Sequence, residues 1–156
     1  MDEQQLTDLF ARLGAPEPAT SAHSQITEGI PQLSRFLFLR QAWKSVVPED
    51  DSTWIRAEER VDPNGPGGGI VPALARLKAL GADEADITTI VRVMQSQLLF
   101  NLCYLFEDPG DLEDEVKHIA WRLFQVDSND RPIEIIGALH EDVLATEPGG
   151  REMRPR

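Results

Sequence analysis

Three histidines, one cysteine and 27 carboxylates are the side chains with which this chain could hold a metal or move a proton. His118 follows Glu115 by three residues and Asp114 by four. On a helix that spacing puts the imidazole and both carboxylates on one face, as metal sites in helical bundles require. Di-metal bundles repeat the Glu-x-x-His pair on two helices, whereas here it occurs once, so an exposed ion pair is the competing reading. His140-Glu141 lies in ALHEDVL, but a zinc protease needs a second histidine four residues after the first, and position 144 is Leu. Neighbouring helical residues point about 100° apart, so these two side chains are not a direct acid-base pair. They can still belong to a site assembled with Trp121 and Arg151. His140 and Glu141 would there do acid-base work while Arg151 binds a carboxylate or phosphate.

The segment DPNGPGGG, residues 62–69, offers backbone N–H groups ahead of a predicted helix, which is how phosphates are cradled. It lacks the Gly-Lys-Ser/Thr end of a P-loop, and a plain connector or hinge explains it as well. Cys103 sits in the apolar run Leu98–Phe106 and reads as a buried, protonated, inert thiol. Trp43, Trp54 and Trp121 each fall on the apolar phase of their segments. That favours core packing over interface anchoring, although an indole N–H needs a partner and often sits at a pocket wall.

Whatever these residues do, 156 residues with 41% apolar side chains build a core without metals or disulfides, and no cofactor is implied. The chain reads as one acidic helical domain over residues 1–150, followed by a basic tail, 151–156, either flexible or docked. The net charge of −12 argues against nucleic acid and anionic membranes as partners. Twelve of the acids and three of the bases fall in residues 107–147, a local charge of −9 that could hold a basic protein. The N-terminal MDEQQLTDLF does not read as a secretory signal, and the nine-residue apolar run is less than half of a membrane span, so a cytoplasmic location is expected.

The elements follow from hydrophobic spacing and breakers. Asp2 caps a first helix carrying Leu6, Leu9, Phe10 and Leu13, which Gly14 ends. Residues 15–32, with three prolines, read as a loop. A second helix fits Gln32–Val47, with Arg35, Arg40 and Lys44 outside its apolar face. A short third one runs to about Val61, with Trp54 and Ile55 buried, and a fourth over Ile70–Leu80. Asp83 caps the longest helix, to about Phe106, whose second half is apolar nearly all round and should be packed on several sides. Such a surface is also where a homodimer would form. A helix from Leu112 to Ala120 or Phe124, a hairpin over residues 122–136 and a last helix Ala138–Ala145 complete the reading. The fold class is therefore mainly α, a bundle of about six helices with one small β-hairpin near the C-terminus.

The string AWRLFQVDSNDRPIEIIGALHEDVLATEPGGREMRPR, about residues 120–156, resembles the end of a group of small uncharacterised bacterial proteins. In these a Trp-containing segment, a turn, a Leu-His-Glu helix and a Gly-Arg-Glu-Met-Arg-Pro tail occur together. The resemblance implies a bacterial cytosolic origin, no reaction, and interest in Trp121, His140, Glu141 and Arg151. The expected function is a non-catalytic protein-protein interaction module, immunity-like or regulatory, with an acidic face. The alternative is a small enzyme or anion-binding protein.

Overall fold

The computed structural model describes residues 1–155. Its elements are α1 (Glu3–Leu13), α2 (Pro18–Thr27), α3 (Gln32–Ala42), α4 (Thr53–Glu58), α5 (Ile70–Ala79), α6 (Glu84–Leu105), β1 (Phe124–Val126), β2 (Pro132–Ile135) and α7 (Leu139–Asp142). The fold is mainly α with a small antiparallel hairpin near the C-terminus. Two compact units are distinguished: Met1–Lys44 together with the chain from Leu98 onward, and Ser45–Gln97.

In the first unit, α1 begins with a reciprocal cap. The Asp2 carboxylate accepts the Gln5 N–H at 2.8 Å and the Gln5 side chain accepts the Asp2 N–H at 3.1 Å. Gly14 ends the helix at φ 82°, a conformation glycine reaches without steric cost. The next segment is not the expected loop but α2. Pro18 stands at its first turn, where a missing N–H costs nothing, and Ala22 seals against Leu6 and Phe10. Burial thus overrides a composition that reads as loop. Phe36 of α3 closes this cluster, its ring edge-on to Phe10 at 5.9 Å.

Three further expectations change in this unit. The segment after Pro109 forms turns over residues 114–118 instead of a helix, its first four acids crowding one short stretch. The last helix shrinks to a single turn, Leu139–Asp142. Arg35, expected on the solvated side of α3, is buried. The hairpin forms as expected, with Phe124 opposite Ile135, Gln125 opposite Glu134, and a bulge before Val126. Its alternation is inverted: Phe124, Val126, Ile133 and Ile135 are exposed, while Gln125 turns inward to accept from the Ser34 hydroxyl.

In the second unit, Ile55, Leu74 and Ile87 make the core, with Trp54 half-buried and donating its N–H to Thr88 at 3.0 Å. Lys78 ties α5 to Glu59 at 2.9 Å and to Glu84 at 3.1 Å. The glycine-rich segment closes on itself. A side chain on Gly68 would meet the Asp62 carbonyl at 2.4 Å, so glycine is required there for backbone packing, independent of any ligand. Asp83 caps α6 as expected, accepting the Ala85 N–H at 2.8 Å.

Helix α6 overturns the expectation of a helix packed on several sides. Leu98, Phe100, Leu102, Tyr104 and Leu105 are all substantially exposed, and the residues that α6 buries include Thr88, Arg92, Ser96 and Cys103. No helix forms over residues 112–120 to cover its second half. Among the described residues, no helix is long and apolar enough to cross a membrane.

Candidate functional site

The histidine singled out in the sequence stands in a built environment. Glu107 follows the end of α6, and its Oε1 accepts the Leu139 N–H at 2.7 Å and lies 3.3 Å from Nδ1 of His140. The imidazole packs edge-to-face on Phe100 at 6.0 Å and on Tyr104 at 5.2 Å. Burial pushes the Glu107 carboxyl up, but the amides of Ala138 and Leu139 and the His140 ring together outweigh it and leave its pKa below the ordinary carboxylate range. A carboxylate so placed fixes which imidazole nitrogen faces the protein.

The turn that carries His140 is itself held by buried donors. Ala138 adopts φ 54°, in the left-handed region that a non-glycine residue enters only when its surroundings impose it. Arg35 supplies that constraint, donating from Nη2 to the Ala138 carbonyl at 2.8 Å and pairing with Asp142 at 2.6 Å. Its Nε is buried without a partner. The Trp43 indole donates to the Val143 carbonyl at 2.9 Å. Four helical residues cannot nucleate by themselves, so α7 exists because Glu107, Arg35 and Trp43 anchor it.

The structure does not bring Glu141 and Arg151 together with His140 as the sequence reading joined them. Glu141 is exposed, and the carboxylate that meets the ring is Glu107. Arg151 is engaged locally: its N–H donates to Glu147 at 3.1 Å and its guanidinium to the Arg154 carbonyl at 3.2 Å. Glu147, buried, also accepts the Gly149 N–H at 2.9 Å, so residues 147–151 fold locally around its carboxylate. Trp121 is a correction to core packing, 39% exposed, with its N–H donated to the Leu105 carbonyl at 2.6 Å. The shared helix face proposed for His118, Glu115 and Asp114 disappears with the helix. Asp114 pairs with Lys117 at 3.1 Å, and among the described residues no group of three or more His, Cys, Asp or Glu is arranged to hold a metal ion.

Glu107 had a signal in the sequence: an acid just past the C-terminal end of a long helix opposes the helix dipole, and such an acid usually has a compensating partner. Arg35 had none beyond its type. A cavity of about 520 Å³ lies in the same unit, walled by Phe36, Ser21, Ser24, Glu28, Asp142 and Thr146 among others. None of the residues singled out in the sequence lines it. In the other unit Glu49, Asp50, Asp51, Asp83 and Glu84 border an acidic cavity of about 440 Å³.

No protein-family model, curated protein or solved structure matches the chain. Chemistry at the His140 junction must therefore be judged from its own groups. The nearest nucleophile in sequence is Cys103, one helical turn before Glu107, wholly buried. Burial pushes its thiol up to about 11, with the Glu107 charge adding to the effect. It should react with Ellman's reagent at pH 8 only as fast as the protein opens, and at the free-thiol rate in denaturant. Stoichiometric labelling of the native protein within the mixing time would contradict this.

The charge of residues 107–147 is distributed unequally. Glu107, Asp142 and Glu147 serve the folded chain, and Asp127 accepts the Asn129 and Arg131 amides inside the hairpin turn. The solvent-facing remainder concentrates in one stretch, where Asp108, Asp111, Glu113, Asp114 and Glu115 are all exposed. Val116, Ile119 and Trp121 follow directly, and they too are exposed.

Proposed function

We propose that this chain is a non-catalytic protein-interaction module of the bacterial cytosol, immunity-like or regulatory, which binds a basic partner protein through residues 108–121. The observation that carries the reading is the continuity of exposed acids from Asp108 to Glu115 with exposed apolar side chains at Val116, Ile119 and Trp121. Acids on such a strip steer and orient a cationic surface, and a half-exposed tryptophan gives it an anchor that excludes water. An arrangement of this kind has no use in a monomer, because like charges repel and exposed apolar area costs free energy.

The catalytic alternative draws support from one contact, the Glu107–His140 pair, which orients an imidazole beside two aromatic rings. Without an activated nucleophile beside it, the pair supports a structural latch more directly than it supports catalysis.

The test uses a photo-crosslinking residue in place of Ile119, introduced into the full chain in its native host. A basic protein should be captured, and capture should fall about tenfold on raising salt from roughly 50 to 300 mM. The combined Glu113→Gln, Asp114→Asn, Glu115→Gln variant should lose it to a similar degree at low salt. Capture insensitive to both salt and charge removal would overturn the reading.

A further inference from the structure

Helix α6 is amphipathic in the wrong sense. Thr88, Arg92 and Ser96, spaced by fours, are buried, while Ile90, Met94 and Leu98 point to solvent two residues further on. The exposed side has the spacing of a coiled-coil seam: Ile90, Met94, Gln97, Asn101 and Tyr104 recur at intervals of 4, 3, 4 and 3, and all five are exposed. Val93 and Phe100 border the seam on one side, Leu98 and Leu105 on the other. This stripe lies on one unbroken helix, so its spacing is fixed by helix geometry alone.

We propose that α6 pairs with α6 of a second copy of this chain, antiparallel, in the register that sets Gln97 of each copy against Asn101 of the other. Two observations select a copy of the chain over an unlike partner. The first is area. Six apolar side chains of the stripe, between Val93 and Leu105, are each 38–64% exposed. At roughly 200 Å² for a large apolar side chain that is on the order of 600 Å² per copy, at the lower end of the ~800 Å² a standard interface takes from each partner.

The second observation is self-complementarity. In a two-fold pair, residue i meets j and j meets i. The polar interruptions of the seam, Gln97 and Asn101, lie four residues apart, and an axis passing at position 99 exchanges them. Each side-chain amide then donates to and accepts from the other, twice over, so no polar group is buried unpaired. The same axis sets Met94 against Tyr104, a favourable sulfur-aromatic contact, and closes the flanks with Leu98 near its own copy on one side and Phe100 on the other. An apolar partner helix would leave both amides unsatisfied. Antiparallel packing also opposes the two helix dipoles. In this register Ile90 comes level with Asp108, past the end of α6, so the paired seam runs from Val93 to Leu105, and Asp111–Glu115 lie outside it and stay free for the proposed basic partner.

Light scattering on the full chain at about 100 µM should give twice the monomer mass, and Leu98→Glu, at an already exposed position, should give the monomer with unchanged helix content. The register is read by oxidation of single-cysteine variants, Cys103 being buried and serving as the silent control. Gln97→Cys mixed with Asn101→Cys should form a disulfide heterodimer, while neither variant cross-links by itself. Cross-linking of either variant alone means parallel pairing and overturns the proposal, as does a monomeric wild-type chain. Should Leu98→Glu fail to fold, the mixed cross-link still decides.

Discussion

Replacing Phe10 by alanine is expected to cost about 4 kcal/mol, a large share of the ~5–15 kcal/mol that holds a domain together. The ring is wholly buried, and its neighbours Leu6, Ala22 and Phe36 come from α1, α2 and α3, three elements that cannot collapse inward together. Of these helices α2 is the least able to persist alone: it has no side-chain N-cap and contributes only Ala22 to the buried set. The variant should therefore lose α2 first, seen as faster amide exchange over Pro18–Thr27 before any change elsewhere. A urea midpoint within about 0.5 M of wild type would contradict this, given slopes of roughly 1–3 kcal/mol per molar.

Arg35→Ala is expected to be nearly as damaging, about 3 kcal/mol. It strips the Ala138 carbonyl of its donor and Asp142 of its counter-charge, in a place where Arg35 is buried but Asp142 keeps about a third of its side chain in water. The pH dependence distinguishes loss of charge from loss of packing. Burial raises the Asp142 carboxyl and Arg35 opposes that rise. Without Arg35 the carboxyl rises further, so the folded variant holds a proton that the unfolded chain has already released. Its stability should recover as the pH falls from 7 into the carboxylate range, narrowing the deficit. A deficit of equal size at pH 7 and pH 5 would mean that only packing had been lost. The Arg35→Ala, Asp142→Asn double variant should show the same stability at both values.

What the sequence disclosed and what it concealed divide along a physical line. Local signals were sufficient where a single residue type dictates backbone geometry. Examples are Asp2 and Gly14 bounding α1, and Asp83 starting α6. They failed where distant burial decides. The prolines of residues 15–32 masked α2, whose existence depends on Phe10 and Leu6 presenting a surface to Ala22. The acids of Asp111–Glu115 suggested a well-started helix, and Leu112, Val116 and Ile119 follow with helical spacing, but Val116 and Ile119 stay exposed, nothing buries that face, and turns result. In the candidate site His140 was singled out with Glu141, Trp121 and Arg151, whereas its partner Glu107 and the anchor Arg35 come from 33 and 105 positions earlier in the chain, beyond any spacing rule. Periodicity also reports that a helix has an apolar face without saying what covers it. That is why α6 was expected at the centre and has its apolar stripe in water.

The inverted hairpin carries a kinetic implication. Turning the ribbon over, by a one-residue shift of both strands relative to the flanking chain, would bring Phe124, Val126, Ile133 and Ile135 toward the protein and the polar side chains out, an arrangement that binary patterning prefers. The observed register is held instead by local polar contacts, Gln125 with Ser34 and the Asp127 carboxylate with its own turn, and by the bulge before Val126. The ribbon is thus a frustrated element, with two facings separated by few hydrogen bonds. Substitutions at Ser34 or Gln125, whose contact ties the ribbon to α3, are where a second folded form of this chain would first be populated.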